Sequence, residues 1–597
     1  MSINQALATR FEQIAQMLEL LGEDKFRVNA HQKAARVVSD LTDDLEALAS
    51  DRKALLAIEG IGPKVADKII EFVTTGKIAE HVDLLGKVPA GLLDVLQVPG
   101  LGPKTVQALW KTLGVVDIAG LKRVLADGSI MQVPRMGAKT VDNIKAALAF
   151  MESSGARLHL GIAMPVAESV VARMRAIKSV SRAAYAGSLR RGRETIGDID
   201  ILVETNDPKS AAEAFVTMPG VRQVLSQGEG KCSVRLSLEA VGGSRWGDDE
   251  ADGRAVQVDL RIIDAAAWGA ALMYFTGSKE HNVRLRERAL KKGLTLNEHG
   301  LFPDDRDPTP PHKRGLRPVA GLTEHEVFAA LDLPFIPPEI REDRGELDHS
   351  QTPRLLEVDD IKAELHAHTT ASDGNLELDQ LIEAAKTRGF HTIAVTDHSR
   401  SAFQANGLSP ERLRGQIRDV HLAQGRHKGI RVLAGSEVDI LSDGALDYDD
   451  DLLAELDHVV ASPHAALNQD ARTATARLIR AIEHPLTRVL GHPTGRLINR
   501  RKGLEPAMAE VYAAAREHNV ALEVNAHWLR LDLRDSHIRG AVEAGCLIAV
   551  NCDVHHPADF DHLRYGVLTA RRGWLAPAQC INTWPAAKLH AWLKRPE

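Results

Sequence analysis

The sequence predicts a multidomain protein that passes from an α-helical N-terminal region through an α+β middle to an α/β C-terminal part. Three observations carry that expectation. The chain has 597 residues, more than one hydrophobic core serves, since cores stop growing at roughly 250–300 residues. A short unit recurs between residues 51 and 148. Beyond residue 160 strand-type alternation replaces helical periodicity, and beyond residue 356 short apolar strands alternate with amphipathic helices.

Composition narrows the class. Apolar residues at 44% and charged residues at 26% are ordinary for globular material. No apolar run reaches the ~18–20 residues that span a bilayer, and the N-terminal MSINQALATRFEQIAQML carries polar residues through its apolar positions, unlike a signal peptide. The expected location is the cytoplasm, with no membrane partner. Cys232, Cys546, Cys552 and Cys580 are scattered without a CxxC pair, so they read as reduced, buried thiols rather than a zinc site. A net charge of −7 argues against a uniformly basic DNA-binding surface but leaves room for local basic clefts. Of 25 histidines, 17 lie after residue 350, which assigns the second half a metal chemistry of its own.

Taken in order, residues 1–50 show helical spacing at Leu7, Phe11, Ile14, Met17 and Leu18, then at Ala30, Ala34, Ala35 and Val38. The repeat follows as LLAIEGIGPKVADKII at 55–70, LQVPGLGPKTVQALW at 96–110 and MQVPRMGAKTVDNIK at 131–145. Strands are expected at 199–204, 233–240 and 256–263, with a Gly- and Asp-rich loop, VGGSRWGDDEADGR, between the last two. Pro and charge dominate 303–356. These shifts place domains at 1–90, 91–155, 156–265, 266–345 and 357–597, with a linker at 346–356.

In the repeat, Gly60 and Gly62, and again Gly100 and Gly102, flank one apolar residue, which lets backbone amides approach a phosphate with no Cβ in the way. The helix that follows points free N–H groups at such an anion, and Lys64 and Lys104 add charge. Glycines that merely end a helix give such a turn once; two near-identical copies favour DNA. The unit resembles the helix-hairpin-helix motif, which grips the DNA backbone without reading sequence. The third copy has Arg135 in place of the first glycine and reads as packing.

The segment AGSLRRGRETIGDIDILVE at 186–204 sets Asp198 and Asp200 two apart on a strand, so both face one side. Hard, like-charged oxygens suit a divalent cation such as Mg²⁺. Asp259 on another strand completes a donor set for a two-metal phosphoryl transfer. Gly187 and Ser188 form a small anion-binding turn, and Arg191 is placed to fork onto a triphosphate oxygen. DxD alone is commonly a solvated strand edge; the Gly-Ser lead and the later Asp favour chemistry. Here the sequence resembles the nucleotidyltransferase palm of family X DNA polymerases, and YFTGSKEHNVRLRERALKKGLTLNEHGLF at 274–302 resembles that family's thumb. The resemblance implies that Tyr274, Phe275 and Gly277 line the incoming sugar, that Asn282 lies near the base, and that Arg286 contacts the template side. It also sets Lys68 at the position of a Schiff-base lysine that removes sugar-phosphate remnants. His31 stands where animal members have Tyr, and Gln257 where the vertebrate repair polymerase has Arg.

In the second half, His366, His368 and Asp373 in ELHAHTTASDG are followed by His398, Glu437, His464, His492, Asp553 and His555, each at the end of an apolar strand. Imidazole and carboxylate suit Zn²⁺, Mn²⁺ or Fe²⁺, with Asp397 and Asn551 as outer supports. A lone histidine at a strand end is usually a core residue; nine such residues in succession are not. The pattern resembles the PHP (polymerase and histidinol phosphatase) domain, a distorted barrel, which implies up to three ions. Gly495, Arg496 and Arg530 are read as DNA-backbone contacts.

Together the resemblances imply a monomeric, nucleoid-associated repair polymerase. It uses dNTPs and Mg²⁺ or Mn²⁺ to fill short gaps in damaged DNA. The second domain implies 3′→5′ exonuclease activity and cleavage at abasic sites. The alternatives are a nuclease with a non-catalytic palm, a DNA-end scaffold with structural metals, and a small-molecule phosphatase.

Overall fold

The periodicity of the first fifty residues becomes two antiparallel helices, Ile3–Leu21 and Lys25–Asp40, in the computed structural model. Leu7, Phe11, Ile14, Met17 and Leu18 are fully buried along one face. Asp24 starts the second helix by accepting from the Phe26 amide at 2.9 Å. The structure describes residues 3–594 except 42–44, 59, 97, 99–100, 135, 139, 143, 146–147, 149–156, 239–253, 306 and 308. Gly100, Arg135 and nearly all of the expected Gly- and Asp-rich loop therefore lie outside the described residues. The chain divides into two units, Met1–Ala156 and Arg157–Glu597. Among the described residues no helix is long and apolar enough to cross a membrane.

In the first unit the repeat produces one turn three times. The amides of Ile61, Leu101 and Met136 donate to the carbonyls of Ile58, Val98 and Val133 at 3.0, 3.0 and 3.2 Å. The next helix then opens at Gly62, Gly102 and Gly137, whose carbonyls accept from Val65, Thr105 and Thr140. Ile61 and Leu101 plug the turns into the helical core, each 4% exposed.

The second unit begins with a strand pair, β1 (Leu158–His159) with β3 (Thr195–Ile196), and a five-stranded sheet in the order β2-β4-β7-β6-β5. Its strands are β2 (Val180–Tyr185), β4 (Asp198–Thr205), β5 (Val221–Gln227), β6 (Lys231–Ser237) and β7 (Ala255–Ile263). The central pair β4 and β7 is parallel, the others antiparallel. Helices Trp268–Thr276, Lys279–Lys291 and Glu324–Ala330 follow, with the hairpin β8 (Leu294–Asn297) and β9 (Gly300–Pro303). Glu324 binds them to the sheet: Arg190 grips both of its oxygens at 2.9 and 2.7 Å, and buried Arg341 adds a third bond at 2.6 Å.

The C-terminal part is a seven-stranded parallel sheet in sequence order, β10 (Ala363–Glu364), β11 (Thr392–Val395), β12 (Arg431–Asp439), β13 (His458–Ser462), β14 (Val489–Leu490), β15 (Ala521–Asn525) and β16 (Ile548–Asn551). Most strand residues are buried because helices cover the outer face, which explains the unbroken apolar runs. A parallel bridge from Ala367 to Val554 joins the first strand to the last, so the sheet nearly closes into a barrel. All strand ends therefore converge on one mouth.

Palm-like sheet and barrel share a core. Ile498, Trp528, Leu531 and Tyr565 of the barrel pack with Leu160, Ile162 and Ile196. A Cβ on Gly161 would overlap the Trp528 ring. Residues 346–356, expected as a linker, form a strap together with residues 341–345: Arg341, Glu346 and Leu356 are buried, and the Leu356 amide bonds the Leu575 carbonyl at 2.9 Å.

Candidate active sites

The first site forms where β4 and β7 run side by side. Asp200 pairs across to Asp259 and Asp198 to Gln257, at the ~4.8 Å spacing of neighbouring strands. Burial, then Asp198 and Asp259, push the Asp200 carboxyl up to about 7. Burial and Asp259 raise Asp198 as well. On Asp259, Lys231 Nζ lies 2.7 Å from one oxygen, and Gln257 Nε2 donates to the other at 3.0 Å. Three hard carboxylates drawn together in this way are a donor set that divalent cations fit. Gly187, at φ +64°, is pressed against this group: a Cβ there would overlap the Asp200 carboxylate.

Arg191 lies beside it, largely enclosed. Its Nε donates to Glu342 at 3.0 Å and its Nη1 to the Thr276 carbonyl at 2.5 Å. Gly277 follows, so close that a Cβ would stand 3.1 Å from Arg191 Nη1. Tyr274 and Phe275 meet edge to face at 5.2 Å, and Arg261 stacks over Phe275 at 4.2 Å. Asn282 donates to the Tyr274 carbonyl at 2.7 Å. Ser188 is half-buried, and Arg286 is exposed on its helix. The sequence signals at 186–204 and 274–282 thus meet at one corner.

The second site fills the barrel mouth. His366, His368, Glu437 and His492 are buried, while Asp373, His464 and His555 open toward solvent. Their ligand atoms form three groups in which all atoms lie within 4.8 Å of one another: His368, Asp373, His398 and His555; His366, His368 and Asp553; His398, Glu437 and His464. His492 Nε2 joins at 2.9 Å from Glu437 Oε1. Buried atoms of His366, His368, His398, Glu437, His492 and Asp553 face one another here without hydrogen bonds. Such orphans inside a protein are rare, and a set of imidazole nitrogens and carboxylate oxygens fits metal ions. Burial and the neighbours His555 and His398 hold His368 down at about 3. Against burial, Glu437 and Asp373 lift His398 to about 10. The backbone at His492 and Asp553 is left-handed, with φ +22° and +54°, strain of a kind that gathers at functional sites.

Two supports of this centre escaped sequence reading. Glu523 Oε1 lies 2.8 Å from His366 Nδ1, and its Oε2 accepts from the His492 amide at 2.7 Å. Asp439 Oδ1 lies against His464 Nδ1. Glu523 occupies an all-buried strand where no spacing marks it. Of the two expected supports, Asn551 acts through Glu523, donating to it at 2.8 Å. Asp397 ties down the loop at Thr369 and Ser372 instead of a histidine. Arg496, read as a DNA contact, is an internal strut to Glu194 at 2.7 Å and to the Leu531 carbonyl. Arg530 Nε stands 3.8 Å from Asp553 Oδ2.

In the first unit Gly62 and Gly102 are exposed, with nothing within 4 Å of where a Cβ would stand, and Lys64 and Lys104 are exposed beside them. Gly60 differs: its φ is +95°, and a Cβ would lie 2.8 Å from Val37 Cγ2. Lys68 Nζ pairs with Glu80 at 2.8 Å, a carboxylate that also meets His31 at 3.2 Å and Arg27 at 2.5 Å.

Comparison with known proteins agrees with this division. Family models match a helix-hairpin-helix domain at residues 2–78, a SAM-like helix-hairpin-helix tandem at 92–149, a DNA polymerase beta palm at 163–247, a DNA polymerase beta thumb at 271–342 and a PHP domain at 364–527. The chain is 34% identical over 585 residues, 98% of both proteins, to the DNA polymerase/3′-5′ exonuclease PolX of Bacillus subtilis (strain 168). It is 26% identical over 357 residues to DNA polymerase lambda of Rattus norvegicus, covering 57% of this chain and 56% of that one. For DNA polymerase lambda of Arabidopsis thaliana the figures are 28% over 352 residues, 57% and 62%.

Proposed function

Because this chain belongs to the PolX-type family X DNA polymerases that carry a PHP domain, we propose that it fills short gaps in damaged DNA from one centre and trims 3′ ends from another. It is a DNA-directed DNA polymerase and 3′→5′ exonuclease whose substrates are DNA and dNTPs. The observation that carries the two-centre reading is the coexistence of the aspartate cluster at β4 and β7 with the histidine-rich barrel mouth.

In the polymerase centre, Asp198, Asp200 and Asp259 would hold Mg²⁺ or Mn²⁺. Bound there, the ions neutralise charge on the attacking and leaving oxygens of an in-line transfer. Gly187, Ser188 and Arg191 bind the triphosphate, Tyr274, Phe275 and Gly277 enclose the sugar, Asn282 faces the base and Arg286 the template. Gly60, Gly62, Lys64, Gly100, Gly102 and Lys104 grip the DNA backbone on either side of the gap.

In the second centre, His366, His368, Asp373, His398, Glu437, His464, His492, Asp553 and His555 would hold up to three ions of Mn²⁺, Zn²⁺ or Fe²⁺. Such ions polarise a phosphodiester and lower the pKa of an attacking water toward ~7. The open side at Asp373, His464 and His555 admits the DNA end. The same centre acts at abasic sites, and Lys68 is the candidate for sugar-phosphate removal, tested by borohydride trapping with Lys68→Ala. The protein works as a cytoplasmic monomer on nucleoid DNA.

The test is a labelled primer on a one-nucleotide-gapped duplex, with and without dNTPs, in Mg²⁺ or Mn²⁺. Asp198→Ala with Asp200→Ala should lose extension alone, and His366→Ala with His368→Ala trimming alone. DNA binding without turnover in the wild type would overturn the reading in favour of a scaffold.

A further inference from the structure

Arg191 and the last helix to pack on the palm, Leu563–Arg572, come from opposite halves of the second unit, yet they share one buried ionic cluster. Arg572, only 3% exposed, is its centre. Its Nη1 donates to the Arg191 carbonyl at 2.7 Å and to Glu342 Oε1 at 2.8 Å, and its Nη2 donates to Asp535 at 2.7 Å. The same Glu342 oxygen accepts from Arg191 Nε at 3.0 Å and has Arg193 at 3.8 Å. Arg344 completes the group on Asp535 at 3.2 Å. Gly192, between the two palm arginines, lies on the helix itself: its φ is +66°, and a Cβ would stand 3.2 Å from Leu568 Cβ.

This arrangement fixes Arg191 from behind. Glu342 and the Thr276 carbonyl occupy Nε and Nη1, leaving Nη2 without a hydrogen bond among the described residues. A guanidinium held by two bonds keeps one direction for an anion and loses little freedom on binding it. The charges point the same way. Within the cluster, among the described residues, Arg191, Arg193, Arg344 and Arg572 share the carboxylates of Glu342 and Asp535. Burial opposes the ionised Glu342, yet Arg572 and Arg191 hold its carboxyl down at about 2, so it stays a permanent anchor. Remove Arg572 and Glu342 loses its other buried cation, leaving Arg191 as the nearest charge to collapse upon.

We propose that Arg572 of the barrel domain and Glu342 of the strap are positioning residues for the incoming nucleotide, holding Arg191 in place to bind the triphosphate. The PHP domain is then a wall of the polymerase pocket as well as a nuclease. This rests on the reading of Arg191 as a triphosphate ligand.

Steady-state single-nucleotide gap filling on the full chain tests it, with 3′ trimming measured on the same preparations. Arg572→Gln and Glu342→Gln should each raise the KM for dNTP roughly tenfold, the loss of one charge-assisted bond. Both should keep kcat within about twofold, and trimming should be unchanged. Arg572→Lys should recover part of the KM, and adding Arg572→Gln to Arg191→Ala should raise KM no further. If Arg191→Ala raises KM and Arg572→Gln does not, the coupling is wrong. If Arg191→Ala has no effect on KM, the underlying assignment of Arg191 is wrong. Equal loss of gap filling and trimming in Arg572→Gln and Arg572→Lys reduces the cluster to a structural strut and overturns the proposal.

Discussion

Asp200 faces Asp259 directly across two parallel strands, with Asp198 on the same edge two residues before it. Parallel pairing of β4 with β7 makes this closeness unavoidable, because side chains of equal register share a face. Burial and the neighbouring carboxylates favour a proton or a cation on Asp200.

Burial, and then that repulsion, give a pH signature. Asp200 rises from 3.8 to about 7 on folding, so the folded chain binds its proton more tightly than the unfolded chain. Its contribution to stability is therefore highest below about 4 and declines as pH rises through about 7. In chelator, Asp200→Asn should raise the thermal midpoint by a few degrees at pH 8 and leave it unchanged at pH 4, where a protonated Asp and Asn are near-isosteres. Equal midpoints at pH 8 would show that the folded site does not favour the protonated Asp200.

Glu523 sets the second centre from outside. Losing its charge while keeping its shape should lower metal affinity by about 10–100-fold, the usual effect of removing an outer partner of a ligating histidine. Glu523→Gln should then trim poorly at limiting Mn²⁺, recover at high Mn²⁺, and fill gaps at the wild-type rate. Normal trimming at limiting metal would remove Glu523 from the centre.

The hairpin glycines separate DNA contact from folding. Gly62 and Gly102 have ordinary φ values of −84° and −83° and open space beyond. Alanine at either should leave the melting curve intact and weaken binding to gapped DNA, because the added methyl stands where a phosphate approaches. Gly60→Ala should instead destabilise the helical unit through its φ of +95° and the clash with Val37. Hydrogen exchange across residues 25–40 and 63–75 with a filter-binding titration checks both. Unaltered DNA affinity in the Gly62→Ala, Gly102→Ala double variant would return these turns to ordinary helix ends.

The metal-type residues were legible in sequence because chemistry repeats at strand ends: His366, His398, Glu437, His464, His492 and Asp553 each follow or end an apolar run. The DxD pair was legible because two residues on one strand share a face. Glu523, inside β15, and Asp439, the last residue of β12, were not, since a buried carboxylate on a strand looks like any alternation until its histidine is placed beside it. Nor were the partners of Arg191 and Arg496, because Glu342, Arg572 and Glu194 lie far away in the chain and come close only through tertiary packing. Arg496 shows the cost: a basic residue near a metal motif reads as a DNA contact, whereas its guanidinium ties Glu194 to the Leu531 carbonyl. Residues 346–356 of the strap read as a linker from their polarity, although Glu346 is spent on a buried pair with His281.

The central claim, two independent centres serving one DNA end, is tested most directly by template-dependent turnover of dNTP to dNMP on a gapped duplex. Wild type should release dNMP continuously, since each nucleotide added at Asp198, Asp200 and Asp259 can be removed at the barrel mouth. Asp198→Ala with Asp200→Ala should release none from dNTP, and His366→Ala with His368→Ala should incorporate and stop. Sustained dNMP release by the histidine variant, or continued incorporation by the aspartate variant, would contradict the account.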